Sequence, residues 1–423
     1  MQKIELIRRL IIILSAFLLF ITLLIEYSFN IQFFHQVVII TFNLVIFSVF
    51  AYVYFNPEFV IQKRKEIILL IISILVLLIL METTLRINDC GWGWEFSPDE
   101  ALKYKYEKST KICNHIEDGN QIFSKKFYVM SNNEGFIDDD FEFNEEDYNI
   151  FLIGDSFAAC LESDYNNCVH QKLEKDLKKE YGENINIMNF GVSSYGGLAE
   201  LEILKKYEDE YEPKMILLYF FADNDMSENK DYYTKEYVQS KSKTLIREIT
   251  PKTLLFIMTN GKNILDRIFV KFESYRVKTG LEEQYSKSYE AYLEEYNSEW
   301  QELLEIELDS IEEIYEISLE ENITLLHVAV TSKEQVYEED WKQIFETYLS
   351  SKDKTYILSK PNDIVMNFAE ENGVHHLDLV PLFKENPEYL HLPIDGHWND
   401  EGQLFAGEKI KEYIIENNLI KNV

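Results

Sequence analysis

Two short stretches, far apart in the chain, hold the residue types that acyl transfer needs. The first is Asn149-Ile-Phe-Leu-Ile-Gly-Asp-Ser156-Phe, an apolar run that stops at Gly154 with a serine just beyond it. The second is Asp395-Gly-His397-Trp-Asn399. A serine hydroxyl becomes a useful nucleophile only when a base takes its proton and an acid orients that base. Ser156, His397 and Asp395 are the candidates for those three roles. A serine on a strand-to-helix turn also keeps its own N–H available for a developing oxyanion. Asp395 and His397 are two residues apart, so an extended turn points both side chains the same way.

Two more strand ends add donors. Gly191 follows the apolar run Ile185–Phe190, and Asn224 follows Met215–Phe221. The N–H groups of Ser156 and Gly191 and the Asn224 amide form a candidate oxyanion hole. Gly191 carries no side chain, so a substrate can approach its N–H closely. Each residue has a plainer reading when taken alone. Ser156 could cap a helix, Asn224 could sit in a turn, and Asp395 with His397 could cap the last helix. Their order along the chain, each at the end of an element, favours the chemical reading.

The elements that must position these residues are strands alternating with helices. Strands are predicted at Tyr148–Ile153, Ile185–Phe190, Met215–Phe221, Ile323–Val330 and Val374–Leu379. Helices are predicted at Val169–Tyr181, Ala199–Tyr211, Trp341–Leu349, Pro361–Asn372 and Glu401–Glu416. Such alternation implies an α/β fold with a parallel sheet covered on both faces. Catalytic groups then collect at the carboxyl ends of the strands. Cys90–Tyr148 reads as an irregular, aromatic-rich lead-in. The stretch at about 230–321 reads as a helical insertion or lid, with Leu254–Val270 apolar enough to touch a membrane or a substrate, although packing on the core is the simpler reading. His391 could line the pocket, whereas His375 and His376 read as packing or surface residues.

Charge and hydropathy divide the chain of 423 residues, whose net charge is −33. The first 90 residues carry seven basic and six acidic groups, and the rest carries 34 against 68. So acidic a surface repels phosphate backbones and argues against nucleic acid as a partner. Three apolar runs, at about 10–27, 36–55 and 67–85, are read as transmembrane helices. Arg8 and Arg9 precede the first, and Lys63, Arg64 and Lys65 lie between the second and third. The positive-inside rule places the N-terminus in the cytoplasm and residues 90–423 outside it, with the bilayer as a partner of the anchor. Cys90, Cys113, Cys160 and Cys168 all fall in the outer part, where disulfides persist. Local pairing, 90 with 113 and 160 with 168, is one of three connectivities, and buried free thiols are the alternative.

At this point the chain resembles the SGNH (GDSL-type) hydrolase superfamily. Gly154-Asp155-Ser156 looks like the first motif, Asn189-Phe190-Gly191 the second, Asn224-Asp225 the third and Asp395-Gly-His397 the last. Asn132-Asn133-Glu134-Gly135-Phe136 resembles the upstream segment of membrane-anchored members. The resemblance spans roughly Tyr128 to Ile415. It implies a flavodoxin-like three-layer α/β/α fold, ester hydrolysis or acyl transfer, and no metal or organic cofactor. Asp223 stands where the family usually has glycine, which adds a charge beside the oxyanion site. The final motif is Asp-x-His, similar to polysaccharide O-acetyltransferases, where most members have Asp-x-x-His. Three functions follow as expectations: a membrane-anchored esterase or O-acyltransferase of surface glycans, a lipase-like esterase, or a non-catalytic glycan-binding or assembly subunit.

Overall fold

The computed structural model describes residues 96–116, 125–232, 289–349, 354–393 and 395–421, with isolated positions between 55 and 80. The chain divides into two compact units, Met1–Asp89 with Gln239–Ser274 and Cys90–Val238 with Tyr275–Val423. The second unit holds the main sheet and the candidate site. The expected spans at 10–27, 36–55 and 67–85, residues 233–288 of the insertion, Cys90 and the Cys113 side chain lie outside the described residues. Among the described residues no helix is long and apolar enough to cross a membrane.

The lead-in is more ordered than its composition suggests. It holds two antiparallel ladders, β1 (Phe96–Asp99) with β2 (Lys103–Tyr106) and β3 (Lys111–Ile116) with β4 (Lys125–Met130). Four-residue strands such as Lys-Tyr-Lys-Tyr carry too little alternation to stand out. Tertiary contact secures the first hairpin: Tyr104 and Tyr106 are buried, and the Tyr106 hydroxyl pairs with Ser193 Oγ at 2.9 Å.

The main sheet contains β5 (Tyr148–Ile153), β6 (Ile185–Asn189), β7 (Met215–Phe220), β8 (Thr324–Ala329) and β9 (His375–Asp378), each close to its predicted place. All four pairings are parallel, in the order β6-β5-β7-β8-β9. Counted from β5 this is 2-1-3-4-5, the flavodoxin-like doubly wound order, with its switch point between β5 and β7. The strands read as continuous apolar runs because both faces are covered. Phe151 and Ile153 enter one core with Ile216 and Leu218, while Ile150 and Leu152 enter the other with Met215 and Leu217. That is the period-2 alternation of a strand.

The described residues from 96 onward form ten α-helices, in chain order: α1 (Ser156–Ala159), α2 (Val169–Tyr181), α3 (Gly197–Tyr211), α4 (Asp225–Tyr232), α5 (Ser298–Glu320), α6 (Lys333–Val336), α7 (Glu338–Ile344), α8 (Lys360–Glu371), α9 (Leu379–Glu385) and α10 (Asp400–Glu416). One core takes Leu204 of α3, Ile314 of α5 and Val365 of α8; the other takes Leu173 of α2, Phe383 of α9 and Ile410 of α10. The result is three layers. In α2 the buried residues Val169, Leu173 and Leu177 recur every four positions. Each contributes about 1.5–3 kcal/mol by leaving water.

Candidate active site

β5 ends at Ile153, and the chain turns through Gly154 and Asp155 into α1, whose first residue is Ser156. Asp155 caps that helix, its Oδ1 accepting from Phe157 N at 2.9 Å. Ser156 is buried, at 7% exposed. As the first helical residue it has an N–H with no acceptor within the helix.

The other half of the site comes from the turn before α10. Leu392 N donates to His397 O at 2.7 Å and Gly396 N to Leu392 O at 3.0 Å, closing a tight loop. Gly396 sits there at φ +94°, a conformation that suits a residue without Cβ. Beyond it Trp398 is fully buried and donates Nε1 to Thr331 Oγ1 at 2.8 Å. This anchor fixes the loop. The His397 ring packs beside Phe157, with centroids 4.8 Å apart.

Across this junction the three expected residues meet. His397 Nε2 lies 2.7 Å from Ser156 Oγ, and His397 Nδ1 lies 2.5 Å from Asp395 Oδ1. The second contact holds the ring with its proton on Nδ1, leaving Nε2 to accept from the serine. Asp155 Oδ2 offers the Ser156 hydroxyl another acceptor at 3.3 Å, and it also takes the Asn224 amide at 3.1 Å.

No protein-family model matches this chain, and no curated protein matches it. Solved structures do. The psychrotrophic esterase EstA from Pseudoalteromonas sp. is similar at 10% identity and TM-score 0.34, over 64% of this chain and 99% of that one. The lipase/acylhydrolase from Enterococcus faecalis is similar at 11% and 0.37, over 64% and 96%. The acetyl xylan esterase AlAXEase is similar at 10% and 0.34, over 63% and 99%. Likeness at these scores carries no weight for the chemistry, which rests on the geometry of the site itself.

Gly191 does not have the place expected for it. Its N–H donates to Asn189 Oδ1 at 2.9 Å and is thereby spent within the chain. A Cβ added at Gly191 would meet Ala159 N at 2.3 Å, so glycine is required for close packing against α1 rather than for substrate access. Asn189, fully buried, also donates to Ala158 O and Ile137 O at 3.0 Å. It ties β6 to the helix bearing Ser156. The turn at Asn132, whose Oδ1 accepts from the N–H groups of Glu134, Gly135 and Phe136, continues into Asp138, which accepts from Asn189 N at 2.9 Å.

Asp223 adds less charge than its type suggests. Burial, with the charges of Glu334 and Asp155, pushes its carboxyl up to about 8, and Tyr292 Oη bonds to it. That shift favours its neutral form near pH 7. His391 is buried, holds Thr331 Oγ1 at 3.0 Å, and is pushed down to about 3 chiefly by burial. It braces the Trp398 anchor as a neutral ring. His375 is exposed on β9 and His376 partly so, away from any bond to the site residues.

His397 is the electrostatic focus. Burial alone lowers an imidazole, but the charges of Glu162, Asp395 and Asp155 outweigh it and raise His397 to about 9. Its side chain keeps 23% of its surface open, so water screens part of that effect. Asp395 is lowered: burial pulls it up, and its bond to His397 more than offsets that. Nothing in the sequence marks Glu162, which is 3% exposed and offers an oxygen within 4.8 Å of atoms of His397 and Asp395. Its one distinction along the chain is a position between two cysteines, and Cys160 and Cys168 are indeed bonded to each other. His397 Nδ1 and Asp395 Oδ1 are bonded to one another, and Glu162 stands beside that pair as a third ionisable group.

Proposed function

We propose that this protein is a serine-dependent esterase or O-acyltransferase, with Ser156 as nucleophile, His397 as base and acid, and Asp395 as the group that orients His397. The observation that carries the reading is the continuous chain Ser156 Oγ–His397 Nε2–Nδ1–Asp395 Oδ1 at 2.7 and 2.5 Å. In the first step the Ser156 O–H bond breaks, its proton moves to Nε2, and Oγ bonds the ester carbonyl carbon. The displaced carbonyl pair becomes an oxyanion, for which the Ser156 N–H and the remaining Asn224 amide hydrogen serve as donors. Collapse expels the alcohol with the proton from Nε2 and leaves an acyl-enzyme. Water or a second hydroxyl, deprotonated by His397, then takes the acyl group.

The finer reading is a membrane-anchored protein that works outside the cytoplasm on O-acyl, chiefly acetyl, groups of surface glycans. It draws on the apolar runs with their flanking basic residues and on the Asp-x-His form of the final motif. A Cys160–Cys168 disulfide suits an oxidising compartment. Turnover of nitrophenyl acetate and nitrophenyl palmitate by the full chain tests the proposal. The reading expects acetate to be preferred and both activities to vanish in Ser156→Ala. Preference for palmitate would turn the assignment to lipids, and equal turnover by the variant would refute the serine mechanism.

A further inference from the structure

We propose that Glu162 is a second carboxylate partner of His397, a positioning residue that stabilises the imidazolium formed when Ser156 gives up its proton. The inference rests on the Ser156–His397 reading above and adds a residue to it. One oxygen of Glu162, one ring nitrogen of His397 and one oxygen of Asp395 lie within 4.8 Å of each other. Glu162 is 3% exposed, while His397 keeps 23% of its side-chain surface open.

The path of the chain accounts for that placement. α1 ends at Ala159, and Cys160 caps it with a left-handed backbone (φ 55°) that turns the chain out of the helix. Leu161 and Ser163, on either side of Glu162, are fully buried. The loop is then pinned at three points: Cys160 is bonded to Cys168, Asp164 N donates to Asp400 Oδ1 at 2.9 Å, and Val169 N donates to Gln403 Oε1 at 3.1 Å. The last two contacts reach α10, which directly follows the His397 loop. The loop that carries Glu162 is thus fixed to elements on both sides of the junction that assembles the site.

A carboxylate near the ring interacts strongly with the imidazolium and weakly with the neutral imidazole. It therefore acts mainly on the charged state that appears as the proton moves from Oγ to Nε2. The other charged or titratable groups around the ring are Asp155 and Asp395, with Lys333 and His391 acting on this set from α6 and from the segment bridged to Trp398. Burial raises Glu162 to about 7 even though the charge of His397 lowers it. The charge of each group thus shifts the proton affinity of the other, so removing the charge of Glu162 moves the acidic limb set by His397.

The test follows fluorophosphonate labelling of the full chain across pH, for the wild type and for Glu162→Gln. The amide keeps the shape and removes the charge. The proposal expects the acidic limb to move down by about one pH unit and the plateau rate to fall roughly tenfold. A folded E162Q whose limb and plateau superimpose on the wild type overturns it. Loss of packing alone would lower the plateau without moving the limb, which also overturns it. Titration of the labelled imidazoles by NMR, with His397 assigned through His397→Asn, needs neither activity nor a folded E162Q. In the wild type His397 should titrate more than about one unit above 6.5 with a second, carboxylate-linked inflection, and a single inflection near 6.5 overturns the pairing. Absence of labelling with the raised, two-step titration intact would sink the serine reading and leave the pairing of Glu162 with His397 standing.

Discussion

Ser156 has two acceptors within reach, and the closer is the imidazole of His397, 2.7 Å against 3.3 Å to Asp155. The closer one takes the proton. Asp395→Asn keeps the contact at Nδ1 but favours the wrong tautomer, so ester turnover should fall on the order of 10⁴-fold while the melting temperature changes little. Comparing turnover with a thermal melt separates lost chemistry from lost fold. The pH dependence follows from His397, which is raised to about 9 and must be neutral to act as base. Turnover should rise from pH 7 toward pH 9 and then level, and a profile already flat at pH 7 would show that the nearby acids do not hold the proton there. The sign for stability is opposite. A folded-state value above the unfolded 6.5 stabilises the fold fully below 6.5, and that contribution is lost as pH rises through about 9.

At the scale of elements, the site depends on how tightly β6 and α1 pack. Gly191→Ala places a methyl 2.3 Å from Ala159 N, against helix backbone that cannot turn aside. It should destabilise the protein by about 1–3 kcal/mol, read as a lower urea midpoint, and should slow labelling of Ser156 because α1 is displaced. The elements differ in how legible they are in the sequence. The strands of the main sheet stand out because burial on both faces leaves long apolar runs, such as Met215–Phe220. Ser156, Asn224, Asp395 and His397 are legible because a nucleophile, an amide donor, an acid and a base each fall at the end or start of an element, in an informative order. The hairpins at Phe96–Tyr106 and Lys111–Met130 escape notice, since short strands held by distant partners such as Ser193 carry almost no local pattern. Spacing alone assigns Gly191 to the substrate, because it does not reveal that Asn189 already takes its N–H. Glu162 is invisible for a related reason: its partner is a loop near the far end of the chain, brought near only by the fold.

The whole molecule carries buried acids that bear on its stability. Asp138 is raised to about 8 and Glu307 to about 7, first by burial; Glu200 is raised by burial and the charges of Glu307 and Asp155, and Asp225 by burial and the charges of Glu200, Asp155 and Glu307. Each of these folded-state values exceeds the unfolded carboxylate value, so the folded protein binds more protons between about pH 4 and 8. Stability therefore falls as pH rises through that range. Buried His170, His327 and His391, lowered to about 3, act the other way below pH 6.5. The raised acids therefore show most clearly above that range: a thermal melt should show a higher midpoint at pH 6.5 than at pH 8, and a higher midpoint at pH 8 would contradict the buried, protonated state of these groups. The net charge of −33 acts in the same direction, since self-repulsion grows as the remaining carboxyls ionise.

The most direct test of the central claim is to treat the full chain with a fluorophosphonate at pH 8.5 (about the His397 transition) and map the adduct by peptide mass spectrometry, beside His397→Ala. The account predicts one adduct, on Ser156, formed at least about a hundredfold more slowly in the variant. An adduct elsewhere, or equal labelling of Ser156 without the imidazole, would contradict it.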